Sequence, residues 1–409
     1  MSNDLYQGGF FDYFGGLQDT RQEGKVYHRL IDILFIVFSG ILCGHDDWEL
    51  IYIWARAVTT QKWLKKYIAL NNGMPSLSTI KRGFGILAPE EFSARFIEWI
   101  RAGVTLPDKD IVSIDGKTSK GSRDASKEQK ALHMVSALCH SHGLIIGQTK
   151  TDEKSNEITA IPELLDQLLI KGCIVTIDAM GLQKKIVKKI VNENQADYVI
   201  NLKGNQETLQ QEVKEYFEDL TQIGEIARAK QETTQQKEAS VGAQGHIQIL
   251  RTLDKGHGRI EKRTYFYSTD LDWMVDAKQE WEKLTGIGMV VREVEFLAEN
   301  KQTNEIAYYV SSVDNVRDFS KAARMHWGVE SMHWSLDVTF KDDQNQTRLS
   351  AAAQNLAVVR RMIFNTLKKE TQIRSKFSKP KKRTLASVDE EYRDLLIQMS
   401  FKVTDSTIC

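Results

Sequence analysis

Four cysteines in 409 residues, Cys43, Cys139, Cys173 and Cys409, are too scattered for a disulfide framework, and none pair at the CxxC spacing of a metal knuckle. They read as reduced, buried thiols. The opening residues, MSNDLYQGGFFDYFGG, contain no basic stretch leading into an apolar one, so no secretory signal is expected. No apolar run is long enough to cross a bilayer: the longest, Leu30 to Gly44, is short, contains Asp32 and reads as a buried core helix. The expectation is a soluble, cytoplasmic chain with no membrane partner. Net charge is absent too, with 55 Lys and Arg against 55 Asp and Glu. No global field draws this chain to polyanions, so any attraction for phosphate has to come from a local basic stripe. What is present is the composition of an ordinary folded protein, 41% hydrophobic and 27% charged, at a length that calls for two or three domains.

Four regions are expected. Residues 1–106 read as helical: HRLIDILFIVFSGILCG is followed by a stretch in which Trp48, Ile51, Trp54 and Ala55 recur at helical spacing. After Pro107 the pattern becomes strand, hairpin, helix, strand, helix, strand, helix through residue 220, an α/β mixed sheet flanked by helices. Residues 221–316 open as a polar, Gln-rich loop or weak insert to about 250 and turn β-rich from Arg259. Residues 317–409 hold a helix running from Ser320 through SMHWSLDV, a last helix near 350–369, and a basic tail, the segment 360–384, in which Glu370 is the one acid.

Two of the strands share a frame, IVSID ending at Asp115 and IVTID ending at Asp178. A β-branched run buries each strand and pushes its terminal acid to the sheet edge, where open α/β sheets place their sites. An aspartate can also simply start a turn or cap a helix. Two in the same frame favour a shared, oxygen-ligated cation such as Mg²⁺. A two-metal site needs a third acid, and RMHWGVESMHWSLD supplies Glu330. On one continuous helix, His326, Glu330, His333, Trp334 and Asp337 would share a face. A zinc site made of His326, Glu330 and His333 is the rival reading, although catalytic zinc usually takes a ligand from a separate element.

At these residues the chain resembles the H-repeat-associated transposases of bacterial insertion sequences, within the DDE transposase superfamily. HRLIDILFIVFSGILCGHDDWELI and GMPSLSTIKRGF resemble the N-terminal associated domain of that family. SIDGKTSKGS, HMVSAL, EKSNEITAIPELL, VTIDAMG, ADYVINLKGNQ and HWGVESMHWSLDVTF resemble successive blocks of its catalytic domain. The resemblance implies an RNase H-like fold with a β-rich insertion before the last catalytic helix. The acids are then Asp115, Asp178 and Glu330, separated by 178 − 115 = 63 and 330 − 178 = 152 residues. Two positions depart from the pattern: Ser331 replaces the Asn that usually follows the Glu, and Asp337 stands where a basic residue is common, with Lys341 further on.

The implied activity is cleavage and joining of DNA strands with two Mg²⁺ or Mn²⁺ ions held by the three acids. The implied partners are double-stranded terminal inverted repeats and target DNA, bound by a homodimer. An RNase H-like nuclease that cuts without joining, or an inactive DNA-binding derivative, are the alternatives. Lys117, Lys120, Lys203 and Asn205, beside the acids, are candidates for phosphate contacts. Trp327 and Trp334 are candidates for stacking on an unpaired base, with core packing the competing role. His326 on the acidic face and Arg360 and Arg361 at the head of the basic tail complete the expected DNA-binding set. Pro75–Arg82 could form a helix-turn-helix that reads the transposon ends.

Overall fold

A computed structural model describes residues 9–123, 130–151, 157–222, 240–244, 247–256, 258–299 and 301–401. Cys409 and residues 223–239 of the Gln-rich stretch lie outside them. The chain groups into two compact units. A sheet unit comprises Leu106–Asp115 and Glu157–Val329; a helical unit comprises Met1–Thr105, Gly116–Asn156 and Glu330–Cys409.

The strands in chain order are β1 (Ile111–Ser119), β2 (Leu132–Cys139), β3 (Leu144–Thr151), β4 (Ile174–Ile177) and β5 (Asp197–Leu202), then β6 (Ser240–Gln244), β7 (Ile247–Gly256), β8 (Arg259–Ser268), β9 (Gly286–Phe296) and β10 (Lys301–Ser311). β2 and β3 form the expected antiparallel hairpin, turned at Gly143 with φ 64°. β4 lies parallel to β1 and β5 parallel to β4. β10 then adds antiparallel to β5, and β9, β8, β7 and β6 continue antiparallel outward. The neighbour order β3-β2-β1-β4-β5 is RNase H-like, and the β-rich insertion extends the same sheet from β10 to β6. Part of the stretch expected as loop is therefore strand: β7 pairs with β8 along its whole length, from Ile247↔Ser268 to Gly256↔Arg259. The stretch is strand because it pairs as a hairpin with β8, which begins three residues after β7 ends.

In the sheet unit, Ile111, Ile174, Val199, Tyr265, Tyr267, Val290 and Tyr309 form a core with Val316, Phe319, Ala322 and Ala323 of the Val316–Met325 helix. The helix starts where the Asn315 side chain accepts from the Asp318 backbone N–H, a standard N-cap. Phe319 stacks on Tyr267 with centroids 4.9 Å apart and meets Tyr309 edge-on at 5.5 Å. It fits because position 288 is glycine: a Cβ there would lie 2.2 Å from the Phe319 ring.

This helix stops at Met325, and a second begins at Gly328 and runs to Phe340. The single helix expected through this region is thus broken at His326 and Trp327, next to Gly328, a poor helix former. His326 and Glu330 sit on different helices, which removes the single-helix geometry of the zinc reading.

The helical unit is built on the Leu30–Leu42 helix, every residue of which is buried, in keeping with its all-round apolar sequence. The expected basic tail is not a tail. The Ser350–Lys369 helix is buried from Ala352 to Leu367, and helices Lys379–Val388 and Glu390–Phe401 follow it. Its cations have internal partners: Arg360 donates to Asp342 at 2.6 Å, Lys382 pairs with Glu370 at 3.0 Å, and Arg383 pairs with Asp46. Cys43, Cys139 and Cys173 are buried and outside any disulfide, and burial pushes the Cys43 thiol up to about 11. Among the described residues no helix is long and apolar enough to cross a membrane.

Candidate active site

The register of β1 and β4 builds a ladder with three rungs on one face of the sheet unit. Ile111 pairs with Ile174 and Ser113 with Thr176. Alternate residues of a strand share a face, so Asp115 and Asp178 stand next in line above them. The lowest rung is apolar and belongs to the core under the Val316–Met325 helix. The middle rung is a pair of buried hydroxyls, Thr176 Oγ1 donating to Ser113 Oγ at 2.9 Å. The top rung is the two acids. β4 ends at Ile177, so Asp178 is at a strand end as expected. β1 outruns its partner to Ser119, so Asp115 lies within the strand, at the point where pairing with β4 stops.

Asp178 is half-exposed. Its carboxylate accepts from the Ala179 backbone N–H at 2.7 Å and from Lys203 Nζ at 3.2 Å. Burial acts to raise its pKa, but the Ala179 N–H and Lys203 together hold it below the ordinary carboxylate value. Asn205, next to Lys203, donates its amide to the Ala179 carbonyl at 2.7 Å and so fixes the turn that carries Asp178.

His326 ends the Val316–Met325 helix, and its Nδ1 lies 3.1 Å from Thr176 Oγ1. Burial lowers the pKa of the ring, opposed by the charge of Asp178 and reinforced by Lys203.

Glu330 belongs to the helical unit. It is exposed, in the first turn of the Gly328–Phe340 helix, where a helix favours negative charge. Trp327 is 49% and Trp334 63% exposed, which excludes full core burial for either.

The remaining candidates divide by burial. Lys203, Asn205 and Lys120 are exposed, and Lys120 lies 3.7 Å from Asp343. Lys117 is buried, with Nζ 2.6 Å from Asp337 and 3.2 Å from Asp343. Arg361 is 1% exposed and donates to Ser136 Oγ and the Ala357 carbonyl. Lys117, Arg360 and Arg361 are therefore internal counter-ions, not surface cations facing phosphate. The ion pair to Lys117 also accounts for Asp337, the departure noted in the sequence: the cation at this place comes from β1 and not from the helix.

Ser113 and Thr176 went unread in the sequence. Their signal was visible, since both frames, IVSID and IVTID, carry a hydroxyl two positions before the acid.

A mixed sheet of RNase H-like order thus carries Asp115 and Asp178 just beyond paired residues of two adjacent parallel strands. The family model described as "Transposase DDE domain" matches residues 106–366, and "DDE_Tnp_1-associated" matches residues 11–100. The chain belongs to the DDE transposase family, whose members generally use divalent metal ions. It is 36% identical over 376 residues to "Putative transposase YncI" of Escherichia coli O157:H7, covering 91% of this chain and 90% of that one. It is 35% identical to "H repeat-associated putative transposase YhhI" of Escherichia coli K12, covering 92% of this chain and 94% of that one. Among solved structures, a piggyBac transposase synaptic complex with hairpin DNA matches with a TM-score of 0.38 at 10% identity, over 93% of this chain and 74% of that one.

Proposed function

We propose that Asp115, Asp178 and Glu330 together ligate a pair of divalent ions, Mg²⁺ or Mn²⁺, and that the chain cuts transposon-end DNA and joins it to a target. The observation that carries this reading is the acid rung: two carboxylates following paired residues on adjacent parallel strands. Neighbouring strands lie about 4.8 Å apart and paired catalytic metals about 3.5–4 Å apart, so side-by-side carboxylates suit one pair of ions. Such ions, when bound, activate the attacking water or 3′-hydroxyl and stabilise the leaving oxygen. The carboxylates act as ligands and not as general bases. The lowered pKa of Asp178 keeps it anionic and ready to bind. Lys203, exposed and paired to Asp178, is free to swing to a DNA phosphate once metal neutralises that carboxylate. Lys120, Asn205, Trp327 and Trp334 are the other exposed candidates for contact with double-stranded DNA. Two copies of the chain would bridge two inverted repeats, working at the bacterial nucleoid.

Asp115→Asn, Asp178→Asn and Glu330→Gln are each expected to abolish Mg²⁺-dependent cleavage of DNA carrying the inverted ends, with the far-ultraviolet circular dichroism unchanged. A variant that cleaves at a near wild-type rate removes that residue from the ligand set. Wild-type protein that cuts but yields no joined product is a nuclease of the same fold. Specific end binding with no metal-dependent product marks an inactive DNA-binding derivative.

A further inference from the structure

The hydroxyl rung and His326 raise a question about hydrogens. Thr176 has one hydroxyl proton, and it goes to Ser113 Oγ at 2.9 Å. Towards His326, 3.1 Å away, Thr176 Oγ1 can then only accept. The hydrogen between them must sit on His326 Nδ1. Burial disfavours the imidazolium form, so the ring is neutral, with hydrogen on Nδ1 and a bare lone pair on Nε2. The helix that delivers the ring is fixed by Phe319, two turns earlier, locked over Gly288.

We propose that His326 is a positioning residue of the metal site: as the neutral Nδ1–H tautomer it locks the Thr176–Ser113 rung on which Asp178 and Asp115 stand. This rests on the reading of those aspartates as metal ligands. Each hydroxyl lies two residues before its acid, one step down the same face. The His326→Thr176→Ser113 chain therefore ties together β1, β4 and the end of the Val316–Met325 helix directly beneath the carboxylates. Groups hydrogen-bonded behind metal ligands set the ligands' orientation. His326 does so without adding a positive charge under a site that must attract cations. The other charged groups that act on the ring are Asp178 and Lys203.

The test separates the two ring nitrogens. In a side-chain amide, Asn places N–H near the position of Nδ1, whereas Gln places it near Nε2. Mn²⁺ binding to the full chain is followed through the free-ion electron paramagnetic resonance signal. His326→Asn is expected to bind within about threefold of wild type, whereas His326→Ala, His326→Gln and Thr176→Val weaken binding by about 10–100-fold, the usual cost of losing such a partner. His326→Ala and Thr176→Val combined should cost little more than either alone. In parallel, the ¹⁵N spectrum of histidine-labelled wild-type protein, assigned by the signal lost in His326→Asn, should show His326 as a neutral ring protonated at Nδ1. Protonation at Nε2, or His326→Gln binding better than His326→Asn, overturns the proposal, as does unchanged binding by His326→Ala and Thr176→Val. Asp178→Asn is the control for the underlying reading: if it binds Mn²⁺ as well as wild type, the ligand assignment fails first, whatever the tautomer.

Discussion

At the scale of single residues, the helical unit places ionisable groups where water is scarce, and their pKa values register it. His333 is pushed down to about 3, by burial first and then by the charges of Arg361 and Lys117. Glu370 is held at about 2, because the Arg374 and Ile373 backbone N–H groups and Lys382 outweigh the effect of its burial. In both cases the unfolded chain binds protons more readily than the folded one. The stability each contributes is complete above its unfolded pKa, about 6.5 for His and 4.3 for Glu, and is lost as pH falls towards the folded value. Urea unfolding should therefore show stability declining from about pH 6.5, at up to about 1.4 kcal/mol per pH unit for each titrating group, and more steeply below about pH 4.3, where both act. His333→Gln should flatten the upper part of that limb and Glu370→Gln the lower. A flat wild-type profile from pH 6.5 to 4 would contradict the assignment for His333. None of this was legible from local sequence. The histidine in MHWSLD reads as a candidate ligand and the glutamate in LKKETQ as a surface group until other segments bury them. The same holds for Arg361, which donates to Ser136, 225 positions away, and for Lys117, whose acidic partner Asp343 is 226 positions away.

At the scale of elements, the strands with strong periodicity were readable and their limits were not. IVSID and IVTID announce buried strands, but the local pattern does not show that β1 continues past Asp115 to Ser119, beyond its pairing with β4. The first residues of β7 lie at the end of a stretch whose composition reads as loop, and it is pairing with β8 that makes them strand. The pattern from Ser320 onward reads as one helix, although Gly328 is a poor helix former and the break beside it puts His326 and Glu330 on different helices. The aspartate pair was legible because two frames repeat, while the hydroxyl rung beneath it needed the register. Packing of the Val316–Met325 helix yields its own prediction. Gly288 leaves the space that the Phe319 ring fills, and a methyl group there would lie 2.2 Å from it. The residue is backbone-packed on a central strand, so the ring has to move. Gly288→Ala is expected to destabilise the sheet unit by about 1–3 kcal/mol, the usual cost of overpacking, read as a lower urea midpoint. It should also disturb the His326 signal in the ¹⁵N spectrum, because the ring rides on the same helix. An alanine variant with wild-type stability and an unmoved His326 signal would mean that the Phe319 notch does not fix the helix.

At the scale of the whole molecule, the order of segments along the chain differs from their grouping in space. The helical unit gathers three stretches, Met1–Thr105, Gly116–Asn156 and Glu330–Cys409. They are joined by side chains that satisfy backbone groups of distant stretches. Asn365 both accepts from the Ile145 N–H at 2.9 Å and donates to its carbonyl at 2.8 Å. Asn355 donates to the Phe84 and Leu87 carbonyls, and the Trp99 indole donates to the Ser400 carbonyl at 2.8 Å. Arg383 does most in this respect. Its guanidinium donates to the Ile41 carbonyl at 3.1 and 2.7 Å and also reaches the Thr339 carbonyl and the Asp46 carboxylate. It thereby satisfies carbonyls near the ends of two helices, Leu30–Leu42 and Gly328–Phe340, from a third. A guanidinium suits this task because its planar fork carries five donors and stays charged. Removing it leaves Asp46 buried without its cation and strands those carbonyls. Breaking one side of a buried ion pair typically costs about 3–5 kcal/mol. Arg383→Ala should accordingly lose most of the stability of the helical unit, and Arg383→Lys, which keeps the charge but not the fork, should lose less. Hydrogen exchange of the Leu30–Leu42 amides measures this directly, since at about 1.4 kcal/mol per tenfold the alanine variant should exchange roughly 10²–10³ times faster through global opening. If protection of that helix is unchanged in Arg383→Ala, the Arg383 guanidinium does not hold the C-terminal helices to the N-terminal ones.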